Sequence, residues 1–179
     1  MKLIILDHNG VINHTSLTFI KTPDEWEPIP GSLEAIARLT HLGYRVVIVT
    51  NQSGIGRGLL DMTTYNAINE KMYKAVNQAG GRIDAIFFCP HTNMDKCACR
   101  KPATGMLKEI MQRYGTDLKN VPMIGDSLRD LQASAGVGAQ PILVLTGKGE
   151  RTRADNLLPE NTQIFENLST AVDFLVGQA

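Results

Sequence analysis

The 179-residue chain is 43% hydrophobic and carries eighteen basic and eighteen acidic side chains, which give a formal net charge of zero at pH 7. This length supports one well-buried core and is short for two, so we expect a single domain over residues 1–179. The balanced charge argues against a nucleic-acid binder or a membrane-surface binder, since both usually carry a basic excess or a basic face. We therefore expect a small-molecule partner, and the small size and neutral surface fit a monomer.

The start of the chain, MKLIILD, places only four apolar residues between Lys2 and Asp7. That run is too short for the core of a signal peptide, and no run elsewhere approaches the length that spans a bilayer. The sequence therefore predicts a cytoplasmic protein. An odd number of cysteines in a reducing compartment also disfavours a disulfide framework.

Short apolar runs rich in β-branched residues alternate with helical patterns along the chain. The runs predict strands at residues 2–6, 45–50, 85–89, 121–124, 141–146 and 162–165. Apolar positions at helical spacing predict helices at residues 31–43, 63–79, 104–114, 128–135 and 168–176. The charged segment 148–160 carries no such signal and is expected to be a loop. The alternation of predicted strands and helices indicates a doubly wound α/β fold, with a mostly parallel sheet and helices on both faces.

Four short polar stretches follow predicted strands or open predicted helices. They are DHNG at residues 7–10, TNQSG at 50–54, RKP at 100–102 and GDSLRD at 125–130. Each stretch alone fits a helix cap, a turn or a surface loop. Ligand sites in open α/β sheets lie at the carboxyl ends of the strands, so we expect the four stretches to meet there.

The acidic residues of these stretches suit phosphoryl transfer to a carboxylate. Asp7 is the candidate nucleophile, because carboxylates can form aspartyl-phosphate intermediates. A cation must separate that carboxylate from the phosphate, and the hard oxygens of Asp7 and Asp126 suit Mg²⁺. Asp130 would orient the metal's surroundings from behind.

The remaining polar residues of these stretches supply donors and positive charge. Thr50 offers a hydroxyl to the phosphate oxygens, and Asn51 offers a side-chain amide or a backbone N–H. Lys101 brings a positive charge to the negative charge that spreads in the transition state. A phosphomonoester alkoxide leaves poorly, so the reaction also needs a group that protonates it and later deprotonates water.

The whole set resembles the haloacid dehalogenase superfamily of phosphatases, whose first motif reads Asp-x-Asp-Gly-Thr/Val and stands here as DHNGV at residues 7–11. The resemblance implies a phosphomonoester hydrolase with Asn9 at the general acid/base position and the Asn9 backbone carbonyl as a Mg²⁺ ligand. An amide does not transfer protons at useful rates, so we expect a chemical step slowed by about 10²–10⁴-fold. His8 or His14 could substitute, although adjacent strand residues point to opposite faces, which disfavours His8. Asn9 fits a natural substitution or an engineered Asp→Asn change.

All three cysteines fall in the segment CPHTNMDKCACRKP, together with one histidine. Three thiolates and an imidazole make a closed tetrahedral Zn²⁺ site of structural type, and scattered buried cysteines with a surface histidine are the alternative. Such a loop would hold Arg100 and Lys101 over the phosphate site, where an arginine fork can bind a second anionic group. The four candidate zinc ligands are Cys89, His91, Cys97 and Cys99.

With this loop and the segment TNQSGIGRG at residues 50–58, nearly the whole chain resembles the heptose-1,7-bisphosphate 7-phosphatase and histidinol-phosphatase family. The resemblance implies no large cap domain, and a pocket walled by residues 13–30, residues 52–58 and the zinc loop. Trp26 is expected to pack that first segment. Arg57 has a second interpretation as a solvent-facing arginine. The residues implied to contact substrate are Gln52, Ser53, Arg57 and Arg100.

The function implied by this resemblance is removal of the C7 phosphate of a heptose bisphosphate in lipopolysaccharide-core or related biosynthesis. Three alternatives stay open: a histidinol-phosphate phosphatase, a non-catalytic phosphosugar-binding protein, and a polynucleotide 3′-phosphatase. The polynucleotide alternative rests on a similar TNQ segment, and the zinc loop and neutral charge argue against it.

Overall fold

The structure is a computed structural model that describes residues 1–16 and 19–177. Its strands are β1 (Lys2–Leu6), β2 (Tyr44–Asn51), β3 (Ala85–Cys89), β4 (Pro122–Gly125), β5 (Gln140–Val144) and β6 (Gln163–Phe165). Its helices are α1 (Ser32–His41), α2 (Ser53–Gly56), α3 (Met62–Gln78), α4 (Gly105–Tyr114), α5 (Leu128–Gly136), α6 (Gly149–Ala154) and α7 (Leu168–Gly177). Short 3₁₀ turns lie at Pro23–Glu25 and Asn93–Asp95.

The six strands form one sheet in the order β3-β2-β1-β4-β5-β6, and every neighbouring pair is parallel. The chain winds outward in both directions from β1, so the strand order reverses between β1 and β4. Crevices for ligands open outside the carboxyl ends of the strands at such a reversal. The predicted doubly wound α/β fold is confirmed, and no described segment between the strands forms a cap domain.

Alternate residues of the central strands enter two separate cores, because successive side chains of a strand point to opposite faces. Ile4 and Leu6 of β1 join a core with α1, α3 and α7. Leu3 and Ile5 join a second core with α4 and α5. Burial on both faces explains why the strands read as continuous apolar runs rather than as alternating ones.

The expectation of a loop at residues 148–160 is wrong, because that segment contains α6. Tertiary contacts hold this short helix. Thr152 donates its hydroxyl to the Asp126 carbonyl at 2.7 Å, and a Cβ on Gly149 would lie 1.8 Å from the Val144 carbonyl oxygen. No apolar period was available to reveal such a helix. None of the described helices has both the length and the apolar character needed to cross a membrane.

Candidate active site

A buried ion-pair network lies at the carboxyl ends of the central strands. The Lys101 ammonium is 3.1 Å from Asp7 Oδ1 and 2.5 Å from Asp130 Oδ1, and it donates to the Val49 carbonyl at 2.8 Å. Lys101 is 2% exposed and Asp130 1% exposed. Residues from three predicted motifs, which lie far apart in the sequence, thus meet around one cation, as the strand-end argument predicted.

Three carboxylates in this network form a candidate metal centre. Asp7, Asp126 and Asp130 each offer one oxygen, and these oxygens lie within 4.8 Å of one another. Both Asp130 oxygens are engaged, one by Lys101 and the other by the backbone N–H and hydroxyl of Ser127. Described donors reach only Oδ1 of Asp7 and only Oδ2 of Asp126. The second oxygens of Asp7 and Asp126 therefore fit a cation, with Asp130 held behind them.

The pKa shifts of the three carboxyl groups also fit a cation bound at this site. Burial and the Asp130 charge raise the pKa of Asp126 to about 6, and the same two causes raise the pKa of Asp7 well above its ordinary value. Burial also disfavours ionisation of Asp130, but Lys101 and the Ser127 hydrogen bonds outweigh it and lower that pKa. Burial opposes the charge of Lys101, while Asp130 and Asp7 outweigh burial and raise its pKa. A divalent cation would relieve the repulsion between Asp7 and Asp126.

Two glycines allow the backbone to approach Asp126. A Cβ on Gly10 would lie 2.1 Å from Asp126 Oδ2, and a Cβ on Gly147 would lie 2.3 Å from the same atom. Both residues have positive φ, +87° and +57°, a region that L side chains rarely adopt. The first motif supplies Gly10, whereas Gly147 reaches the site only through folding.

The Asn9 side chain lies at the rim of this network and is oriented by a neighbour. Asn13, which is fully buried, donates its amide to Asn9 Oδ1 at 2.9 Å and to the His14 carbonyl at 3.1 Å. A carboxylate at residue 9 would accept the same bond from Asn13. No described donor reaches the Asn9 carbonyl oxygen, which leaves that oxygen free for a cation.

Neither candidate histidine faces the site. His8 is 1% exposed, and its Nε2 accepts a hydrogen bond from Trp26 Nε1 at 3.1 Å. Burial and the nearby Lys101 charge lower the pKa of His8 to about 4, so the ring is neutral near pH 7. His14 is exposed and lines neither cavity described below. Trp26 is 1% exposed, as expected for a packing residue.

The TNQSG stretch serves both the cavity and its support. Thr50 lines the inner cavity and accepts a hydrogen bond from the buried Gln52 amide at 3.2 Å. Asn51 also lines this cavity, but its side chain is engaged by the backbone of Lys101. Asn51 Oδ1 accepts from the Lys101 N–H at 3.0 Å, and Asn51 Nδ2 donates to the Lys101 carbonyl at 3.1 Å. Gln52 lines neither cavity. The Asn51 side chain therefore positions Lys101, and the substrate contacts of Asn51 and Gln52 stay predictions.

The cysteine and histidine side chains of the predicted zinc loop converge. Their ligand atoms are 2.7–3.6 Å apart in the five pairs Cys89–His91, Cys89–Cys97, Cys89–Cys99, Cys97–Cys99 and His91–Cys99. Two sulphurs at 2.3 Å from one Zn²⁺ stand about 3.8 Å apart in a tetrahedron. The donor set fits zinc, and no disulfide joins the cysteines. Arg100 follows directly, donating its backbone N–H to Cys97 Sγ at 3.4 Å.

Two cavities that share lining residues lie at the candidate site, and we call them inner and outer. The inner one, of about 100 Å³, is lined by Asp7, Thr50, Lys101, Asp126 and their neighbours. The outer one, of about 510 Å³, is walled by residues of segment 13–30, of segment 52–58 and of the zinc loop, as predicted. Ser53, Arg57 and Arg100 line the outer cavity.

Sequence reasoning missed two cations that line both cavities, Arg129 and Lys148. Arg129 lies inside the GDSLRD motif, between Asp126 and Asp130, and its position between two acidic candidates is a signal that the sequence offers. Lys148 also donates its backbone N–H to Asp126 Oδ2 at 2.9 Å. It lies in the segment expected to be an uninformative loop, so no local pattern identified it.

Comparisons with known proteins identify the family of this chain. Residues 98–171 match the HAD-hydrolase-like family. The chain is 55% identical to the D-glycero-beta-D-manno-heptose-1,7-bisphosphate 7-phosphatase of Bordetella bronchiseptica over 100% of both chains. It is 48% identical to the enzyme of the same name from Pseudomonas aeruginosa over 97% of both.

Solved structures give the same result. A crystal structure of the B. bronchiseptica D,D-heptose 1,7-bisphosphate phosphatase, complexed with magnesium and phosphate, matches with a TM-score of 0.99 over 100% of both chains. The phosphatase from Burkholderia thailandensis matches at 50% identity with a TM-score of 0.78, covering 98% of this chain and 99% of that one. The resemblance stated from the motifs is confirmed. The chain belongs to the D-glycero-beta-D-manno-heptose-1,7-bisphosphate 7-phosphatase family of haloacid dehalogenase-like phosphomonoester hydrolases.

Proposed function

We propose that this protein is a Mg²⁺-dependent phosphatase that removes the C7 phosphate of D-glycero-D-manno-heptose 1,7-bisphosphate through an aspartyl-phosphate intermediate on Asp7. One observation carries the proposal: Asp7 lies beside the buried Lys101 cation, and both line a small cavity that shares residues with a larger cavity lined by four cations. The relatives that match the full chain carry this activity in their names.

The residues proposed to hold Mg²⁺ are Asp7, Asp126 and the carbonyl of Asn9, with Asp130 behind them. Their free oxygens form the all-oxygen donor set that this hard cation prefers. When bound, Mg²⁺ would neutralise the charges that otherwise keep a carboxylate and a phosphate apart.

The protein's own groups account for the two chemical steps. The Asp7 carboxylate attacks phosphorus, an acyl-phosphate bond forms, and the bond from phosphorus to the C7 oxygen breaks. Water then hydrolyses the acyl phosphate, which restores Asp7 and releases inorganic phosphate. Lys101 and the Thr50 hydroxyl stabilise the negative charge on the phosphate oxygens in both steps.

Asn9 weakens the proton transfers in this scheme. The departing C7 alkoxide needs a proton, and the attacking water must lose one. Neither His8 nor His14 reaches the cavity to replace the missing acid. We therefore propose that binding is preserved and that turnover is slowed by about 10²–10⁴-fold.

The outer cavity favours a bisphosphate over the alternative substrates. Four cations line it and no acidic residue does so among the described residues, the cations being Arg57, Arg100, Arg129 and Lys148. A second phosphate would be attracted there, whereas the ammonium group of histidinol phosphate would be repelled. The presence of a nucleophile, Asp7, beside Lys101 disfavours a purely non-catalytic binding protein.

We further propose that the cluster of three cysteines and His91 binds structural Zn²⁺. The site would staple the loop that carries Arg100 and Lys101, and it would leave no open coordination position for catalysis. The single domain, the monomeric state, the cytoplasmic location and the absence of nucleic-acid or membrane partners stay predictions.

The test is phosphate release from D-glycero-D-manno-heptose 1,7-bisphosphate and from histidinol phosphate, each with Mg²⁺ and with EDTA. We expect slow, Mg²⁺-dependent release from the heptose bisphosphate and much slower release from histidinol phosphate. A preference for histidinol phosphate would overturn the proposed substrate. Binding without any turnover by either this chain or its Asn9→Asp variant would favour a phosphosugar-binding protein.

A further inference from the structure

Arg129 is a half-buried arginine at the boundary between the inner and outer cavities, and it lines both. Among the described residues, no carboxylate pairs with its guanidinium and no acceptor receives a hydrogen bond from it. The other arginines of the outer cavity differ from it. Arg100 donates to Asn93 Oδ1 at 2.6 Å and to the His91 carbonyl at 3.3 Å, and Arg57 lines only the outer cavity.

Two features of the fold oppose the positive charge of Arg129 on the side of the outer cavity, although three carboxylates line the inner cavity beside it. Arg129 is the second residue of α5, where the positive end of the helix dipole disfavours a cation. Burial lowers the pKa of Arg100, and the charge of Arg129 lowers it further, so the two guanidinium groups repel each other. A dianion bound between Arg129 and Arg100 would attract both guanidinium groups and the positive end of the α5 dipole.

The donor geometry suits a phosphate. A guanidinium carries five N–H donors in a planar fork that matches two phosphate oxygens at once, and those of Arg129 are unengaged within the described residues. Lys148, which also lines both cavities, offers a point charge without this directionality.

We infer that Arg129 is a specificity-determining residue, binding the second phosphate of the substrate bidentately at the boundary between the two cavities. The inference rests on the proposed function and deepens it. Arg129 makes the site select a sugar bisphosphate over the corresponding monophosphate, while Asp7 and Lys101 act on the phosphate that is transferred.

The test compares Arg129→Gln and Arg129→Lys with the unsubstituted chain that carries Asn9, which serves as the wild type for these comparisons. The substrates are the heptose 1,7-bisphosphate and the heptose 7-phosphate, which lacks the second phosphate, both with Mg²⁺. Arg151→Gln is the matched control, because Arg151 is an exposed arginine of the neighbouring α6 that lines neither cavity.

We expect Arg129→Gln to lower kcat/KM for the bisphosphate by about 10- to 100-fold through KM, and to change that for the monophosphate by less than about twofold. The kcat/KM of Arg129→Lys for the bisphosphate should lie between the values of Arg129→Gln and the wild type. Arg151→Gln should match the wild type. The thermal midpoint of ligand-free Arg129→Gln should stay close to the wild-type value, because no described acceptor pairs with the Arg129 guanidinium. That midpoint also excludes misfolding as the cause of a lost preference.

An equal loss for both substrates, or an unchanged preference, would overturn the assignment of Arg129. Failure of the wild-type chain to release phosphate from either sugar phosphate would instead refute the proposed function, and this inference with it. The two failures are therefore distinguished by the wild-type measurement.

Discussion

Asn13 donates its side-chain amide to the Asn9 side-chain oxygen at 2.9 Å. The donor belongs to a fully buried residue, so the oxygen at residue 9 is oriented by the fold rather than by solvent. An amide and a carboxylate at residue 9 both present an oxygen that can accept this hydrogen bond from Asn13. The surroundings of residue 9 therefore suit an aspartate as well as the asparagine that is present.

Asn9→Asp is expected to raise kcat on the heptose bisphosphate by about 10²–10⁴-fold while KM changes little, because the carboxyl group can donate and accept the proton. Initial rates of phosphate release with Mg²⁺ measure this. Asn9→Ala is the matched control, since it removes the amide without supplying an acid. Equal kcat values for Asn9→Asp and the wild type would mean that another group carries the proton.

Asn51→Ala is expected to lower kcat by about 10²-fold, because the two hydrogen bonds that fix the Lys101 backbone are lost and a small displacement of a catalytic group has an effect of this size. Steady-state kinetics and urea unfolding give the two readouts. Asn66→Ala, at an exposed position of α3, is the control. Full activity of Asn51→Ala would show that Lys101 is positioned without it.

Asp126 gives the metal-free protein a pH dependence of definite sign. Its folded-state pKa of about 6 exceeds the unfolded value of about 4, so the native state binds this proton more tightly. The stabilisation is fully present below about pH 4 and is lost as the pH rises through about 6. Relative to Asp126→Asn, the wild type in EDTA should lose on the order of 2 kcal/mol of unfolding free energy between about pH 4 and pH 7.

Urea unfolding of both proteins across this pH range is the measurement. Comparison with Asp126→Asn cancels the opposite contribution of His8, whose pKa burial lowers to about 4 and which therefore stabilises the fold as the pH rises. Millimolar Mg²⁺ should reduce the loss in the wild type, since it binds the ionised carboxylates. Parallel pH profiles for the two proteins in EDTA would contradict the shifted pKa.

Loss of zinc is expected to lower both the thermal midpoint and kcat, because the loop that carries Arg100 and Lys101 has few apolar residues to hold it. Elemental analysis should find one zinc per chain in the wild type and less in Cys99→Ser. Met94→Ala is the control, because Met94 is an 87% exposed residue of the same loop. A zinc-free protein with wild-type stability and activity would remove the structural role.

The alternation of strands and helices can be predicted from the sequence. Strands buried on both faces are continuous apolar runs, and the helices that cover them carry apolar residues at helical spacing. The sequence also indicates which strand-end motifs meet, since the carboxyl ends of parallel strands share one edge of the sheet. This argument predicts that Asp7, Lys101 and Asp126 lie together, and residue types and spacing predict the cluster of Cys89, His91, Cys97 and Cys99; the structure brings each group together.

The contacts that join distant, aperiodic segments could not be predicted from the sequence. The bond from Asn51 to the Lys101 backbone, the approach of Gly147 to Asp126 and the placement of Arg129 at the cavity boundary depend on how loops pack across the sheet. Helix α6 depends on the same packing, because Thr152 and Gly149 contact the ends of β4 and β5. Such contacts leave no local period in a sequence, so they follow from the three-dimensional arrangement alone.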